Sequence, residues 1–347
     1  MTNSPSLFRA GLVLFTVFFS LPGHAAKTDV VTLINGNAIT GEIKVLDFGA
    51  LRYSTDSMGT VNIDWEDIVG ITSDQNLQIE LTNGTKYFGK LRASDEDFSI
   101  RVRTASAEVD LRTQRVVRIT PIDEQEKFWQ NLDGSFSLGL QTQKSSEVTT
   151  SNFNLDVFRR ARTYLVGLKM NSVITDQPSE ETKAQQSVEV NYQRFRANRW
   201  FTDWFTRWER IDEQGIAGRN SAGGAFGRYI LQTNRNLLSV SLGVQAARTS
   251  FFGEEASGTE AEGRIELRYL RRRLVPEVSM TFTTKIYPLL GDLSEYRADT
   301  DLSFKREFFD DFFLDLTIGH SYTSNPAQDI GASKIDYNVT TSLGYSF

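Results

Sequence analysis

From Gly134 to the last residue the chain alternates apolar and polar side chains with a period of two, and nowhere in that stretch does it offer the roughly 20 consecutive apolar residues that a membrane helix needs. The final segment shows the pattern most fully. Ile335, Tyr337, Val339, Thr341, Leu343, Tyr345 and Phe347 fall on one face of an extended strand, and Asp336, Asn338, Thr340, Ser342, Gly344 and Ser346 on the other. The same split recurs where Phe153, Leu155 and Val157 oppose Asn154 and Asp156, and where Val188, Val190 and Tyr192 oppose Glu189, Asn191 and Gln193. Twelve such segments start near residues 134, 149, 161, 184, 199, 221, 237, 260, 274, 295, 311 and 334; the sixth, with Gly223, Gly224 and Gly227, is the least regular.

The N-terminus constrains where such strands can act. Met1 to Arg9 is polar with one positive charge, Ala10 to Leu21 is apolar but too short to span a bilayer, and Gly23-His24-Ala25 supplies the small residues of a cleavage site. Residues 1–25 therefore read as a signal peptide, and the chain as exported. It contains no cysteine, so neither a disulfide nor a lipidated cysteine supports it. An exported chain that spans a membrane without helices must close a barrel, because lipid leaves every unpaired backbone group unsatisfied. The expected fold is all-β, with a 12-stranded antiparallel transmembrane β-barrel over residues 134–347, its apolar face toward lipid and its polar face toward the lumen.

Connection lengths orient this barrel. Short links centre on Arg160, Asn198, Asn234, Arg272 and Phe309; long ones carry Lys144–Val148, Thr175–Lys183, Asp212–Gly218, Ser250–Gly258, Pro288–Ser294 and Thr323–Ser333. Short turns face the periplasm in outer-membrane barrels, which puts both barrel ends there. The short turns are basic (Arg159, Arg160, Arg194, Arg196, Arg199, Arg271, Arg272, Arg273), and the long loops acidic (Glu180, Glu181, Asp212, Glu213, Glu254, Glu255, Asp292, Glu295).

Ahead of the barrel, residues 26–120 carry one pattern twice at an offset of 48: Leu33-Ile34-Asn35-Gly36 matches Leu81-Thr82-Asn83-Gly84, and Val61, Ile63, Ile68 and Ile71 match Val109, Leu111, Val116 and Ile119. Asn-Gly dipeptides favour type I′ hairpins. A small SH3/Sm-like all-β periplasmic domain built on a 48-residue repeat is expected, serving as a packing module or as a binding module for a periplasmic protein or peptidoglycan. Residues 121–133 form a linker, and Thr120-Pro121-Ile122-Asp123 predicts a short helix whose Phe128 and Trp129 rest at the periplasmic membrane surface or are buried between the two domains.

The lumen face is rich in charge. Asp156, Glu189, Asp203, Glu209, Glu266, Glu277, Asp299, Asp301 and Asp315 are interleaved with Lys169, Arg207, Arg264, Arg268, Lys285, Arg297 and Lys305, which predicts a hydrated interior that neutralises itself or lines a narrow pore. Catalysis finds little support. His320 lies on the apolar face of the eleventh segment, but Tyr322 stands where a His-x-Ser pair would need its serine. With no cysteine, one histidine after residue 25 and no calcium-loop spacing, no metal or other cofactor is expected. The net charge of −6 offers no footprint for nucleic acid.

The terminal Leu343-Gly344-Tyr345-Ser346-Phe347 resembles the last strand of outer-membrane barrels, which implies that Phe347 and Tyr345 form the signal read by the barrel-insertion machinery. The stretch Trp129–Leu140, with Asp133-Gly134-Ser135 and Ser137-Leu138-Gly139, is similar to the domain-of-unknown-function 481 family, also described as putative salt-induced outer membrane proteins. This chain lacks the Gly-Asn pair expected after the first strand. The resemblance implies a bacterial outer-membrane protein in contact with lipid and lipopolysaccharide and brings no activity with it. The functions left open are a narrow passive channel, an envelope structural protein, a periplasmic partner-binding protein anchored by its barrel and, less favoured, a surface lipid hydrolase.

Overall fold

The computed structural model describes residues 27–122, 132–143, 148–178, 181–253, 258–274, 277–309, 311–325 and 334–346. The signal segment, Phe128, Trp129, Glu180, Glu254, Glu255 and Phe347 lie outside the described residues.

Nine short strands build the first domain: β1 (Asp29–Leu33), β2 (Ala38–Asp47), β3 (Ala50–Ser54), β4 (Thr60–Asp64), β5 (Ile68–Leu81), β6 (Lys86–Arg92), β7 (Ser99–Arg103), β8 (Glu108–Arg112) and β9 (Val116–Pro121). They run in the order β4-β3-β2-β1-β5-β6-β7-β8, and β9 pairs with both β2 and β5, so β1, β2, β9 and β5 close into a small barrel. Bulges in β2 and β5 bend both strands around one core. Ile43, Leu46, Leu51, Tyr53, Trp65, Leu77, Ile79, Leu91, Ile100 and Ile119 fill it. The Tyr53 hydroxyl donates to the Asp29 carbonyl at 2.6 Å, and burial, followed by the charge of Asp29, pushes its ionisation well above the usual phenol range.

Equivalent contacts recur 48 residues apart. Leu33 N–H donates to the Asn37 carbonyl and Leu81 N–H to that of Thr85, while Ile34 N–H donates to Asp67 and Thr82 N–H to Arg115. The hairpins differ from the type I′ expectation, because only the glycines take positive φ, 82° at Gly36 and 84° at Gly84. Gly36 and Gly84 each donate back to the residue three positions earlier, so each loop is a three-residue turn closed by a left-handed glycine. The helix expected from Thr120 is also absent at its start: Thr120 and Pro121 extend β9 and pair with Gln78 and Leu77 of β5. Strand pairing outweighs the capping signal, and a strand end tolerates proline's missing N–H.

The second domain is a closed antiparallel barrel of twelve strands. They are β10 (Asp133–Gln143), β11 (Val148–Arg160), β12 (Tyr164–Asp176), β13 (Lys183–Phe195), β14 (Trp200–Ile211), β15 (Ile216–Gln232), β16 (Asn236–Phe251), β17 (Thr259–Arg273), β18 (Val278–Leu289), β19 (Asp292–Phe309), β20 (Phe312–Thr323) and β21 (Ile335–Ser346). No helix among the described residues is long and apolar enough to cross a membrane. The outward face instead exposes Leu138, Trp204, Leu242, Val244, Tyr337, Val339 and Leu343, a contiguous apolar surface that only lipid solvates without cost. Aromatic side chains ring its short-turn end, where Trp200 stacks on Phe226 at 4.6 Å and Tyr345 sits between Phe312 and Phe136.

Two connections are shorter than the sequence suggests. β15 starts at Ile216, not near 221, leaving four residues that turn at the left-handed Gly215, and only two residues separate β18 from β19. The strict alternation of short and long links therefore fails, because these strands continue into what read as loop. The glycines of β15 have a packing cause: a Cβ on Gly224 would lie 3.0 Å from the Trp204 ring, and one on Gly227 would lie 2.4 Å from Phe201. The closing seam is the shortest ladder, pairing only Ser135–Leu138 of β10 with Leu343–Ser346 of β21.

The outward assignment is open to direct test. Leu242→Arg places a guanidinium on the apolar belt and should lower stability by about 2–4 kcal/mol in denaturant unfolding from lipid vesicles, whereas Thr283→Lys on the lumen face should change it by less than about 0.5 kcal/mol. Equal effects would contradict the assignment of faces.

Candidate functional site: a charge network across the lumen

The two-residue period of each strand turns one set of side chains inward. Asp156, Lys169, Glu189, Asp203, Arg207, Arg264, Glu266, Arg268, Lys285, Arg297, Asp299, Asp301 and Asp315 all take lumen positions in register with one another. Glu277 does not. It precedes β18 in the turn and accepts from Arg272, so the strand begins one residue later than its alternation suggests.

The inward charges form two knots that span the lumen. In the first, Glu209 of β14 is 2% exposed, lies 2.9 Å from Arg207 and 3.6 Å from Arg219, and receives Arg297 from β19 on the opposite wall. Arg219 also holds Glu262, whose other oxygen accepts from Gln245 at 2.6 Å. In the second, Glu189 of β13 accepts from Lys285 of β18 at 3.0 Å, and Arg264 pairs with Glu266 at 2.7 Å. Arg264 lies flat over the Phe205 ring at 3.6 Å, and Arg297 over Tyr287 at 4.5 Å.

Both bridges run from β13 and β14 to β18 and β19, so they divide the lumen unequally. The smaller lobe, walled by β14–β18, is filled by Phe205, Gln245, Glu262 and Arg264, all but Phe205 polar and all buried. The larger lobe, walled by β19–β21 and β10–β13, is lined by small neutral residues. Gly139, Gly167 and Gly319 there lie under the amides of Asn152, Asn191 and Asn338, and a Cβ at each would come within 2.6 Å of the amide oxygen. Asp156 and Lys169 face this lobe 3.6 Å apart with side chains 44% and 47% exposed, and Asp301 is exposed to it as well. Near the loop end Asn338 donates to Gln185 at 2.8 Å and Gln214 to Ser321 at 3.2 Å, narrowing the passage with uncharged groups.

Alternation alone missed Arg219, Glu262, Gln245, Phe205 and Tyr287. Glu262 shares the inward parity of Arg264 and Glu266 and was legible; Arg219 was hidden by the late start assigned to its strand.

The end of the barrel that carries the short turns is covered by the first domain. Asp47 accepts from Arg118 at 3.1 Å and lies 4.0 Å from Arg160 of β11, Glu66 pairs with Arg235 of the β15–β16 turn, and Arg52 donates to Asp133 at 2.6 Å. Gln232 reaches Glu80 at 3.4 Å, and Arg199 reaches the Thr82 carbonyl at 3.4 Å. Burial, then the neighbouring Arg160, pushes the Arg118 guanidinium down to about 10, against the pull of Asp47 and Glu80. The basic turns thus have a partner within the chain.

On the outer surface, His320 has Thr300 and Tyr337 opposite it on the adjacent strands, and Ser321 turns inward to donate to Asp299 at 3.1 Å. No serine stands across from the imidazole.

A closed barrel with an apolar outer belt, aromatic girdles and a charged interior defines a membrane-spanning β-barrel of the outer-membrane type. The sequence matches the family described as "Protein of unknown function, DUF481" over residues 135–347, and the chain belongs to that family. Among solved structures it is similar to the NanC porin (12% identity, 62% of this chain and 98% of that one, TM-score 0.39). It is also similar to the β domain of the Bordetella autotransporter Brka (13% identity, 62% and 97%, TM-score 0.30). No curated protein matches it.

Neutralising Glu209 would take the nearest carboxylate from three buried guanidinium groups, leaving Arg219 on Glu262 and Arg207 and Arg297 only the more distant Asp299, at 3.9 and 4.0 Å. Glu209→Gln should therefore cost about 3–5 kcal/mol in denaturant unfolding. A loss below about 1 kcal/mol would show that the network carries no such weight.

Proposed function

We propose that this protein is a narrow passive channel of the bacterial outer membrane, with its larger lumen lobe as the water-filled path and its first domain a periplasmic cap over one mouth. The observation that supports it is the unequal division of the lumen: the bridges fill one lobe and leave Asp156, Lys169 and Asp301 facing unfilled space in the other. The periplasmic side is supported by link length: the capped end has links of only two to four residues, whereas the opposite end carries the longest ones, of six, seven and eleven. The cap is an SH3/Sm-like domain descended from a duplicated 48-residue unit, and it leans its acids on the basic turns.

A second reading, an envelope structural protein with a sealed barrel, is favoured by the Asn338–Gln185 and Gln214–Ser321 contacts, which narrow the loop end. The same measurement separates the two. The full chain in a planar bilayer should give small, steady current steps. The double reversal Asp47→Lys with Glu66→Lys, which sets like charges against Arg160 and Arg235, should release the cap and enlarge them. Silence in both proteins would remove the channel and leave the structural role.

A further inference from the structure

The two bridges sort the charges of the lumen as well as its space, and the consequence bears on what passes. Arg207, Arg219, Arg264, Lys285 and Arg297 are each engaged with Glu189, Glu209, Glu262, Glu266 or Asp299 in the knots. What remains is the charge on the walls of the larger lobe. Asp156 and Lys169 neutralise one another. Asp315 and Lys305 stand opposite each other on neighbouring strands β20 and β19, and the Lys305 ammonium rests 3.7 Å from the Phe313 ring. Asp301 is exposed to the lobe, its partners across the ladder are Thr283 and Gly319, and it makes no hydrogen bond or ion pair among the described residues; the cations whose charge reaches it, Lys285, Arg207 and Lys169, are each held by another carboxylate, and Asp299 adds a like charge.

Beyond Asp301 toward the loop end, the lobe carries Asp336 on β21, and the rest of that wall is amide and hydroxyl, with Asn338, Thr340 and Ser342 in line. The acidic loops lie outside. Arg268 sits on β17, within the wall of the filled lobe. On the walls of the larger lobe itself a small ion therefore meets paired charges and the carboxylates of Asp301 and Asp336, with Arg268 two strands from Asp301 across Thr283.

We propose that the larger lobe selects small cations over anions and that Asp301 is the specificity-determining residue. This rests on the channel function proposed above. A carboxylate without a cationic partner lowers the energy of a passing cation and raises that of an anion, and in a narrow water-filled path at a separation of several ångströms the difference is about threefold per charge. The knots contribute little to selectivity, because their opposite charges lie within ion-pair distance and present no net field to the lobe.

The test is the reversal potential of the full chain in a planar bilayer under a potassium chloride gradient. The unaltered protein should reverse on the potassium side, and Asp301→Asn should lower the potassium-to-chloride permeability ratio by about threefold. The substitution preserves shape, and Asp301 has no partner to lose, so heat-modifiable folded barrel should be unchanged. The double substitution Asp156→Asn with Lys169→Gln, which removes a neutral pair from the same lobe, serves as the comparison and should leave the ratio within about a factor of 1.5. A chloride preference in the unaltered protein, or a ratio unmoved by Asp301→Asn, would overturn the assignment while leaving the channel intact. Absence of current in the unaltered and cap-released proteins would overturn the channel itself.

Discussion

Glu189 and Glu209 are the groups on which the interior depends. A barrel of twelve strands encloses more space than its own walls fill, and here that space is taken up by guanidinium and ammonium groups that can be dehydrated only when carboxylates meet them. Both glutamates sit on adjacent strands and draw partners from the far wall, Lys285 and Arg297. The attraction acts across the lumen and so sets its cross-section. One lobe is packed with aromatic, amide and charged side chains; the other has glycine, asparagine, serine and threonine on its walls.

The same complementarity joins the two domains. Basic turns at the barrel mouth would repel one another if left alone, and the first domain meets them with Asp47, Glu66 and Glu80 and with the carbonyl of Thr82. Its glycines allow the approach: a Cβ on Gly49 would lie 3.0 Å from the Asn234 carbonyl, and one on Gly84 2.7 Å from the Arg199 side chain. The turn at Gly36, equivalent to that at Gly84, has nothing near it. One half of the domain is therefore used for docking and the other presents its hairpin to the surroundings.

Much of this was legible in the sequence because a strand's period is two and the bilayer tolerates no error in it. Alternation alone placed twelve strands and put the charged residues it assigned to the lumen, Glu277 excepted, on the inner face, while Arg219 and Glu262 were missed. Strand ends were harder. β15 reaches back to Ile216 and β18 runs on to Leu289, past the stretches where alternation is regular, and Thr120-Pro121 carried a helix signal that pairing with β5 overrode. The bridges themselves were not legible. Which acid meets which base across a lumen depends on strand tilt and shear, and those place Glu209 opposite Arg297 although 88 residues separate them. Glycine in β15 read as irregularity because its cause, the rings of Trp204 and Phe201, lies on the neighbouring strand.

The chain contains no cysteine, so single introduced thiols report directly on the unequal division of the lumen. Single cysteines placed at Asp301, Asn154, Gln245 and Ala225 in the folded, membrane-inserted protein would be challenged with a small water-soluble thiol reagent and the labelling rates compared. Fast labelling at 301 and 154, with 245 and 225 protected until denaturant is added, is the expected result. Similar rates at all four positions would contradict a filled lobe beside an open one.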